Sequence, residues 1–162
     1  MTAVTASIEI AVPPDAVWDV IMDPDHFGDW VTIHRKLGHV DDGPLREGFE
    51  VEQTLCLHHA NFKVKWSLAE CEAPHRAVWE GKGPAGSHAR IVDTLVALDG
   101  GGRTRFDYRN EYSQPGGFLG RMAGRVLVAG SAEKEANRSL ERLKAFLEAG
   151  AGSTSTAAGQ RG

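Results

Sequence analysis

Cysteine is scarce in this chain, and the two present, Cys56 and Cys71, both sit in strand-like sequence. With the turn between those strands placed near His59, Cys56 falls opposite about Phe62 and Cys71 lies some nine residues further on, roughly 30 Å away at strand rise. A disulfide is not expected at that separation, and two free thiols fit a reducing compartment. Positive charge is also in short supply. Eighteen Lys and Arg against 22 Asp and Glu leave a net charge of −4, which opposes broad attraction to nucleic acid or to an anionic membrane. No apolar run approaches the length of a membrane span, and Met1 to Val12 has neither the basic region nor the continuous apolar stretch of a signal peptide. The expectation is a cytoplasmic protein with no membrane span and no nucleic-acid partner.

Catalytic and metal motifs are missing too. There is no Gly-x-Ser-x-Gly elbow, no Cys-x-x-Cys and no His-Glu-x-x-His spacing. Seven histidines are present, but the adjacent His58 and His59 would point apart in a strand, and His34 and His39 straddle a helix-to-strand change. Neither a metal nor a cofactor is expected. Gly100-Gly101-Gly102 joins two strands and precedes no helix, so it reads as a hairpin loop rather than a phosphate cradle. No repeat and no second domain interrupt the 162 residues.

What is there is a change of period. Val4 to Val12 alternates, with Ile8, Ile10 and Val12 on one side, and reads as a strand. Pro13, Pro14 and Asp15 then open a helix carrying Val17, Trp18, Val20 and Ile21. Asp23 and Pro24 stop it, and Asp23 caps a second short helix over Asp25 to Ile33. From Lys36 the period is two, with strands expected at Leu37–Asp41, Gly48–Leu57, Phe62–Cys71, Arg76–Gly81, His88–Leu98 and Arg103–Tyr112. The short connections suit antiparallel hairpins. A long helix follows from Phe118 to Glu148, and residues 150–162, made of Gly, Ala, Ser and Thr with almost no apolar bulk, form an expected disordered tail after a single domain of residues 1–149.

That last helix carries the functional signal. Leu119, Met122, Val126, Ala129, Glu133, Ala136, Leu140, Leu143 and Leu147 form one stripe at helical spacing, and its middle is small or charged. On a sheet, Ala129, Gly130, Glu133 and Ala136 leave space where a packed core places Leu or Ile. A dry void of about 300 Å³ would cost about 7 kcal/mol at roughly 24 cal/mol per Å³, comparable with a whole domain's stability. Either water or a ligand occupies such a space, or bulky side chains from the facing sheet fill it.

Strand parity assigns the facing walls. Phe62, Val64, Trp66 and Leu68 share a side opposite Lys63 and Lys65, so the aromatic side faces in. Phe49, Val51, Gln53, Leu55 and Leu57 follow by the same rule, as do Trp79 and the set Phe106, Tyr108, Asn110 and Tyr112, whose other face is uniformly charged. The strand after Ala89 is ambiguous. Arg90 prefers water, which sends Asp93 inward; the alternative leaves Asp93 in solvent and Glu133 on a helix flank. If inside, Asp93 and Glu133 are the candidate general acid and base. The candidate ligand-binding residues are Gln53, Trp66, Trp79, Phe106, Tyr108, Asn110 and Tyr112 from the sheet, with Met122, Val126 and Ala129 from the helix.

The segment Pro13 to Trp30 (PPDAVWDVIMDPDHFGDW), the helix entry Pro115-Gly116-Gly117-Phe118 and the run Ser139-Leu140-Glu141-Arg142-Leu143-Lys144 resemble the START-like polyketide cyclase and dehydrase superfamily, also called SRPBCC, over roughly Ser7 to Ala149. The resemblance implies an α+β helix-grip fold, a seven-stranded curved antiparallel sheet around a long C-terminal helix, with two short helices after strand 1 and a hydrophobic pocket between. Trp30-Val31-Thr32-Ile33-His34 is similar to an actinobacterial branch labelled as toxins of toxin–antitoxin systems. Other branches include aromatic polyketide cyclases, quinone or lipid carriers and enediyne self-resistance proteins.

Three functions follow as expectations. The first is binding of a hydrophobic, ring-bearing small molecule, polyketide- or lipid-like, in natural-product biosynthesis or self-resistance, with entry at the end framed by Asp23 to Ile33 and Pro115-Gly116-Gly117. The second is a cyclase or dehydratase using pocket acids. The third is a growth-inhibiting toxin. The oligomeric state is left open by the sequence.

Overall fold

The computed structural model describes residues 2–113 and 118–159, with side chains described for residues 2–113 and 130–151. Seven strands, β1 (Thr2–Ile10), β2 (His34–Val40), β3 (Glu50–Leu57), β4 (Ala60–Glu72), β5 (Arg76–Lys82), β6 (His88–Leu98) and β7 (Arg103–Ser113), form one sheet in the order β1-β7-β6-β5-β4-β3-β2. Every pairing is antiparallel. Hairpins connect β2 through β7 in sequence, and only β1 reaches across the chain to pair with β7. The expected helix-grip architecture is the one observed.

Two short helices link β1 to β2. In α1 (Pro14–Ile21), Pro14 occupies the first turn, where its missing N–H costs nothing, and Val17, Trp18, Val20 and Ile21 are buried. Asp23 Oδ1 accepts the Asp25 N–H at 2.9 Å and caps a single 3-10 turn, Pro24–His26. The second helix, α2 (Phe27–Trp30), is only four residues long. It is shorter than the Asp25–Ile33 span expected, because Val31 turns extended (ψ 105°) and ends the helix.

The long helix α3 (Phe118–Gly159) lies across the sheet. Its helical backbone continues through Ala149 and Gly150, past the point where a tail was expected to begin. Leu140, Leu143 and Leu147 are buried against Ile10, Phe106 and the α1 side chains in one continuous core. Beside it, Lys144 Nζ donates to the Glu9 carbonyl at 2.9 Å and the Ala11 N–H donates to Glu148 at 3.3 Å. These contacts tie α3 to β1, the strand that would otherwise be an open edge.

The sheet bends around α3 at a bulge in β4. Leu68 pairs with Trp79 but Glu70 with Val78, leaving Ala69 as the extra residue that curves the strand. The β3–β4 turn is His58-His59, both at positive φ (51° and 63°), and Cys56 therefore pairs with Asn61 rather than Phe62. Cys56 and Cys71 are both free.

Candidate functional site

Sheet and helix part around a cavity of about 580 Å³. The register explains its walls, because one face of the sheet is continuous through Leu55 and Phe62, Gln53 and Val64, Val51 and Trp66, then Gly81, Trp79 and Ile91 to Asp93 and Tyr108. Ala132, Ala136, Ser139 and Leu140 of α3 make the roof, and Ile21, Phe27, Trp30, Val31 and Ile33 close one end. At roughly 24 cal/mol per Å³, a dry void of 580 Å³ would cost about 14 kcal/mol. That is the scale of a domain's entire stability, so the space belongs to water or to a guest.

Exposure locates the mouth. His58, Ala60, Pro84 and His88 line the cavity and are exposed, so it opens beside the β3–β4 turn and the β5–β6 connection. There His58 Nε2 and Ser131 Oγ lie 2.8 Å apart, joining hairpin tip to helix. The expected entrance beside Asp23 to Ile33 is instead tied down. Thr32 Oγ1 donates to Glu135 Oε2 at 2.5 Å, the Thr32 N–H donates to Ser139 Oγ at 3.0 Å, and Arg142 donates to the Gly28 carbonyl at 3.2 Å. Residues 115–117, the other half of that expected entrance, lie outside the described residues.

Two polar systems interrupt the apolar lining. The first runs from Trp66, whose Nε1–H donates to Gln53 Oε1 at 2.9 Å, to Gln53 Nε2, 2.9 Å from His34 Nδ1. Indole is a donor only, so the Gln53 oxygen must accept and its amide nitrogen must donate onward. His34 Nδ1 is therefore an acceptor, and the neutral ring carries its proton on Nε2. Burial lowers the His34 pKa below its ordinary 6.5, in agreement with a neutral imidazole. Trp66 itself needs Gly81 across the strand pair: a Cβ there would meet the indole at 2.5 Å.

The second system is a column on β6 and β7. Asp93 is 6% exposed, and burial without a compensating cation pushes its carboxyl up to about 7. It pairs across the strands with Tyr108, whose hydroxyl is driven upward first by burial and then by the Asp93 charge, while a hydrogen bond from Asn110 pulls the other way. Tyr112, one same-face step beyond Asn110 and nearer the mouth, is raised by burial. Asp93 Oδ1, Asn110 Oδ1, Tyr112 Oη and, at the closed end, Trp30 Nε1 are buried with no hydrogen-bond partner among the described residues. Unsatisfied buried polar atoms are rare in native proteins, and here three of the four share one wall.

Of the residues singled out from sequence, Gln53, Trp66, Trp79, Asp93, Tyr108, Asn110 and Tyr112 come together on the cavity wall. Phe106 does not. It is fully buried beneath the cavity floor, with the Trp30 ring edge-on at 6.4 Å. Glu133 is exposed and is corrected to the outside of α3. At about 100° per residue, Glu133 and Glu135 flank the buried face of α3 on opposite sides, and Glu135 is the one on the Thr32 side that lines the cavity. The Met122, Val126 and Ala129 side chains lie outside those described. Glu135 and Ser139 were missed from sequence because small and charged residues on a helix surface read as solvated, and Thr32 because it stands in the turn after α2, where no periodicity gives a direction. Among the described residues no cluster of three or more His, Cys, Asp or Glu could hold a metal ion, and no helix is long and apolar enough to cross a membrane.

A seven-stranded sheet gripping one long helix over a largely apolar cavity defines the helix-grip fold. Residues 1–148 match the family of polyketide cyclases/dehydrases and lipid transport proteins, and the chain belongs to that family. Among solved structures, the Zhui aromatase/cyclase of a Streptomyces species superimposes with a TM-score of 0.76 at 16% identity, covering 91% of this chain and 93% of that one. A Thermus thermophilus protein superimposes with a TM-score of 0.73 at 18% identity, covering 92% and 99%. Among sequence relatives, a Mycobacterium tuberculosis protein named as a toxin is 22% identical over 107 residues, 66% of this chain and 74% of its own length.

Proposed function

We propose that this protein binds a hydrophobic, ring-bearing small molecule, polyketide- or lipid-like, between its sheet and α3. The observation that carries the reading is the cavity itself: about 580 Å³, within the range of ligand pockets and lined mainly by apolar and aromatic side chains with a few convergent polar groups. Trp66, Trp79, Tyr108 and Tyr112 supply flat apolar surface, and Gln53 and Asn110 orient the guest. Membership of a cyclase and lipid-transport family supports the same reading, and we extend it to a role in natural-product biosynthesis or self-resistance. Mass spectrometry of compounds released from the purified protein tests this. An organic guest recovered in stoichiometric amount is expected, and a protein that neither carries one nor takes up any ring compound refutes it.

A second reading, a cyclase or dehydratase, is favoured by one specific observation. Asp93 is buried at the cavity wall, unpartnered at Oδ1 and shifted to about 7, where a carboxyl both gives and takes protons at neutral pH. In that role Asp93 would relay protons to a poly-ketone folded against the aromatic wall, and positioning would supply most of the acceleration. Incubation with a poly-ketone separates the readings: a cyclised or dehydrated product that Asp93→Asn fails to form supports catalysis, whereas unchanged ligand supports carriage alone. A growth-inhibiting role rests only on the distant toxin-named relative, and unimpaired growth of cells expressing the protein would remove it.

A further inference from the structure

His34 does not line the cavity, yet it is wired to a side chain that does. Its Nδ1 stands 2.9 Å from Gln53 Nε2, and Gln53 Oε1 takes the Trp66 N–H at 2.9 Å. His34 pairs in register with Leu55, which makes Gln53 its diagonal neighbour on the same face of β3. The bond between Gln53 and Trp66 is closed to bulk water, the two side chains being 5% and 8% exposed. This chain of bonds runs in one direction only. Indole can only donate and a Gln amide has a single oxygen, so that oxygen is committed to Trp66 and the amide nitrogen needs an acceptor at His34. A neutral imidazole supplies one. A protonated imidazole carries hydrogen on both nitrogens and does not, so a donor would stand at each end of an amide with one oxygen. A hydrogen bond to a charged donor is about twice as strong as one between neutral groups, and the oxygen therefore turns to His34 and leaves the Trp66 N–H stranded. Swinging the His34 ring out instead is opposed by α2, where the Phe27 ring stands edge-on at 6.2 Å and Gly28 packs close to His34 Cδ2.

We propose that His34 is a positioning residue for the cavity wall, holding Trp66 through Gln53 while its ring is neutral and releasing the indole when the ring takes a proton. The titratable and charged groups on the elements around His34 are engaged elsewhere or exposed. On α2, Asp29 binds His26 at 2.8 Å; on β2, Arg35 and Lys36 are exposed; on β3, Glu52 pairs with Lys63 at 3.9 Å and the Cys56 thiol is free; on α3, Glu135 binds Thr32 and pairs with Arg138 at 3.4 Å. None of them forms a hydrogen bond or ion pair with His34 among the described residues, so Gln53 is the partner that feels its charge. Burial already holds the His34 pKa below its ordinary 6.5, and the lost Trp66 bond acts in the same direction. The response belongs to the protein itself and does not depend on what the cavity holds.

The test is a pair of ¹H–¹⁵N titrations of the full chain, following the Trp66 Nε1–H and the His34 ring nitrogens as the pH is lowered from 8. The two signals are expected to move together with one midpoint below 6.5, the indole proton shifting upfield as its hydrogen bond is lost. In His34→Asn, whose amide oxygen can take the place of Nδ1 as an acceptor that does not titrate, the Trp66 signal should keep its neutral-pH position throughout. A wild-type His34 that takes its proton while the Trp66 indole stays still overturns the proposal, and so does a ring that remains neutral down to acid unfolding; neither result needs the variant. A Trp66 signal that moves in His34→Asn with the wild-type midpoint overturns it as well, since another group would then be driving the change.

Discussion

Replacing Asp93 by Asn removes a titrating group from the cavity wall at almost constant shape, and its consequence for folding can be worked through. In the unfolded chain the carboxyl ionises near its ordinary 3.8, and in the folded protein burial raises this to about 7. Between those values the folded state holds a proton that the unfolded state has released, so stability falls as pH rises. The fall is limited to about 1.4 kcal/mol per pH unit and sums to about 4 kcal/mol across the window. It begins near pH 4 and is complete above about pH 7. Asn cannot ionise and shows no such fall. Urea unfolding of both proteins at pH 4.5, 6 and 8 measures it, and subtracting one protein from the other cancels the other titrating groups. The stability of Asp93→Asn relative to wild type should climb by roughly 3–4 kcal/mol from pH 4.5 to 8. A relative stability that stays flat within about 1 kcal/mol would show that Asp93 is hydrated or paired in the folded protein, and would refute the burial argument.

Filling the roof should act in the opposite sense on binding and stability. Ala136→Leu places a larger apolar side chain in the cavity, and is expected to raise stability by about 0.5–2 kcal/mol while abolishing uptake of pyrene-sized compounds, read by melting and fluorescence titration. Gly81→Ala drives a methyl group into the Trp66 ring and should cost about 1–3 kcal/mol, visible as a lower urea midpoint and a shifted tryptophan emission. Gln53→Leu strands the Trp66 N–H and should cost about 1–3 kcal/mol. In that variant the His34 ring loses the partner that fixes its tautomer, so its ¹⁵N spectrum, expected to show a protonated Nε2 in the wild type, should show a mixture of both forms. Ser139→Ala removes the acceptor of the Thr32 N–H, and faster amide exchange at Thr32 with unchanged exchange in β7 is the expected outcome.

The inner face of the sheet was legible because the outer face is charged. Lys63 and Lys65 mark the outside of β4, and Arg105, Asp107, Arg109 and Glu111 mark that of β7, so parity placed Trp66, Tyr108, Asn110 and Tyr112 without any three-dimensional information. β6 lacks such a marker, and only the single preference of Arg90 for water pointed Asp93 inward, which is where the register holds it. Helix phase was harder. Between Gly130 and Ala136 there is no bulky apolar residue to fix the buried side, and an error of two positions along the helix exchanges the exposed Glu133 for the cavity-lining Glu135. The pairing of Gln53 with both Trp66 and His34 depends on three strands meeting, and no local pattern announces it. Phe106 carried the right parity but the wrong depth, since parity tells the side of a sheet and says nothing about how far along the strand a cavity begins.

The asymmetry between the two halves of the cavity wall has a consequence for how such a protein diversifies. The unpaired polar atoms of the sheet belong to adjacent strands, β6 and β7, while β3 and β4 contribute mostly hydrocarbon and indole. A handful of exchanges on that neighbouring pair would rewrite which functional groups are welcomed, yet leave the greasy half, and the folding free energy it supplies, untouched. New tastes can thus be tried at low structural risk, one ribbon at a time.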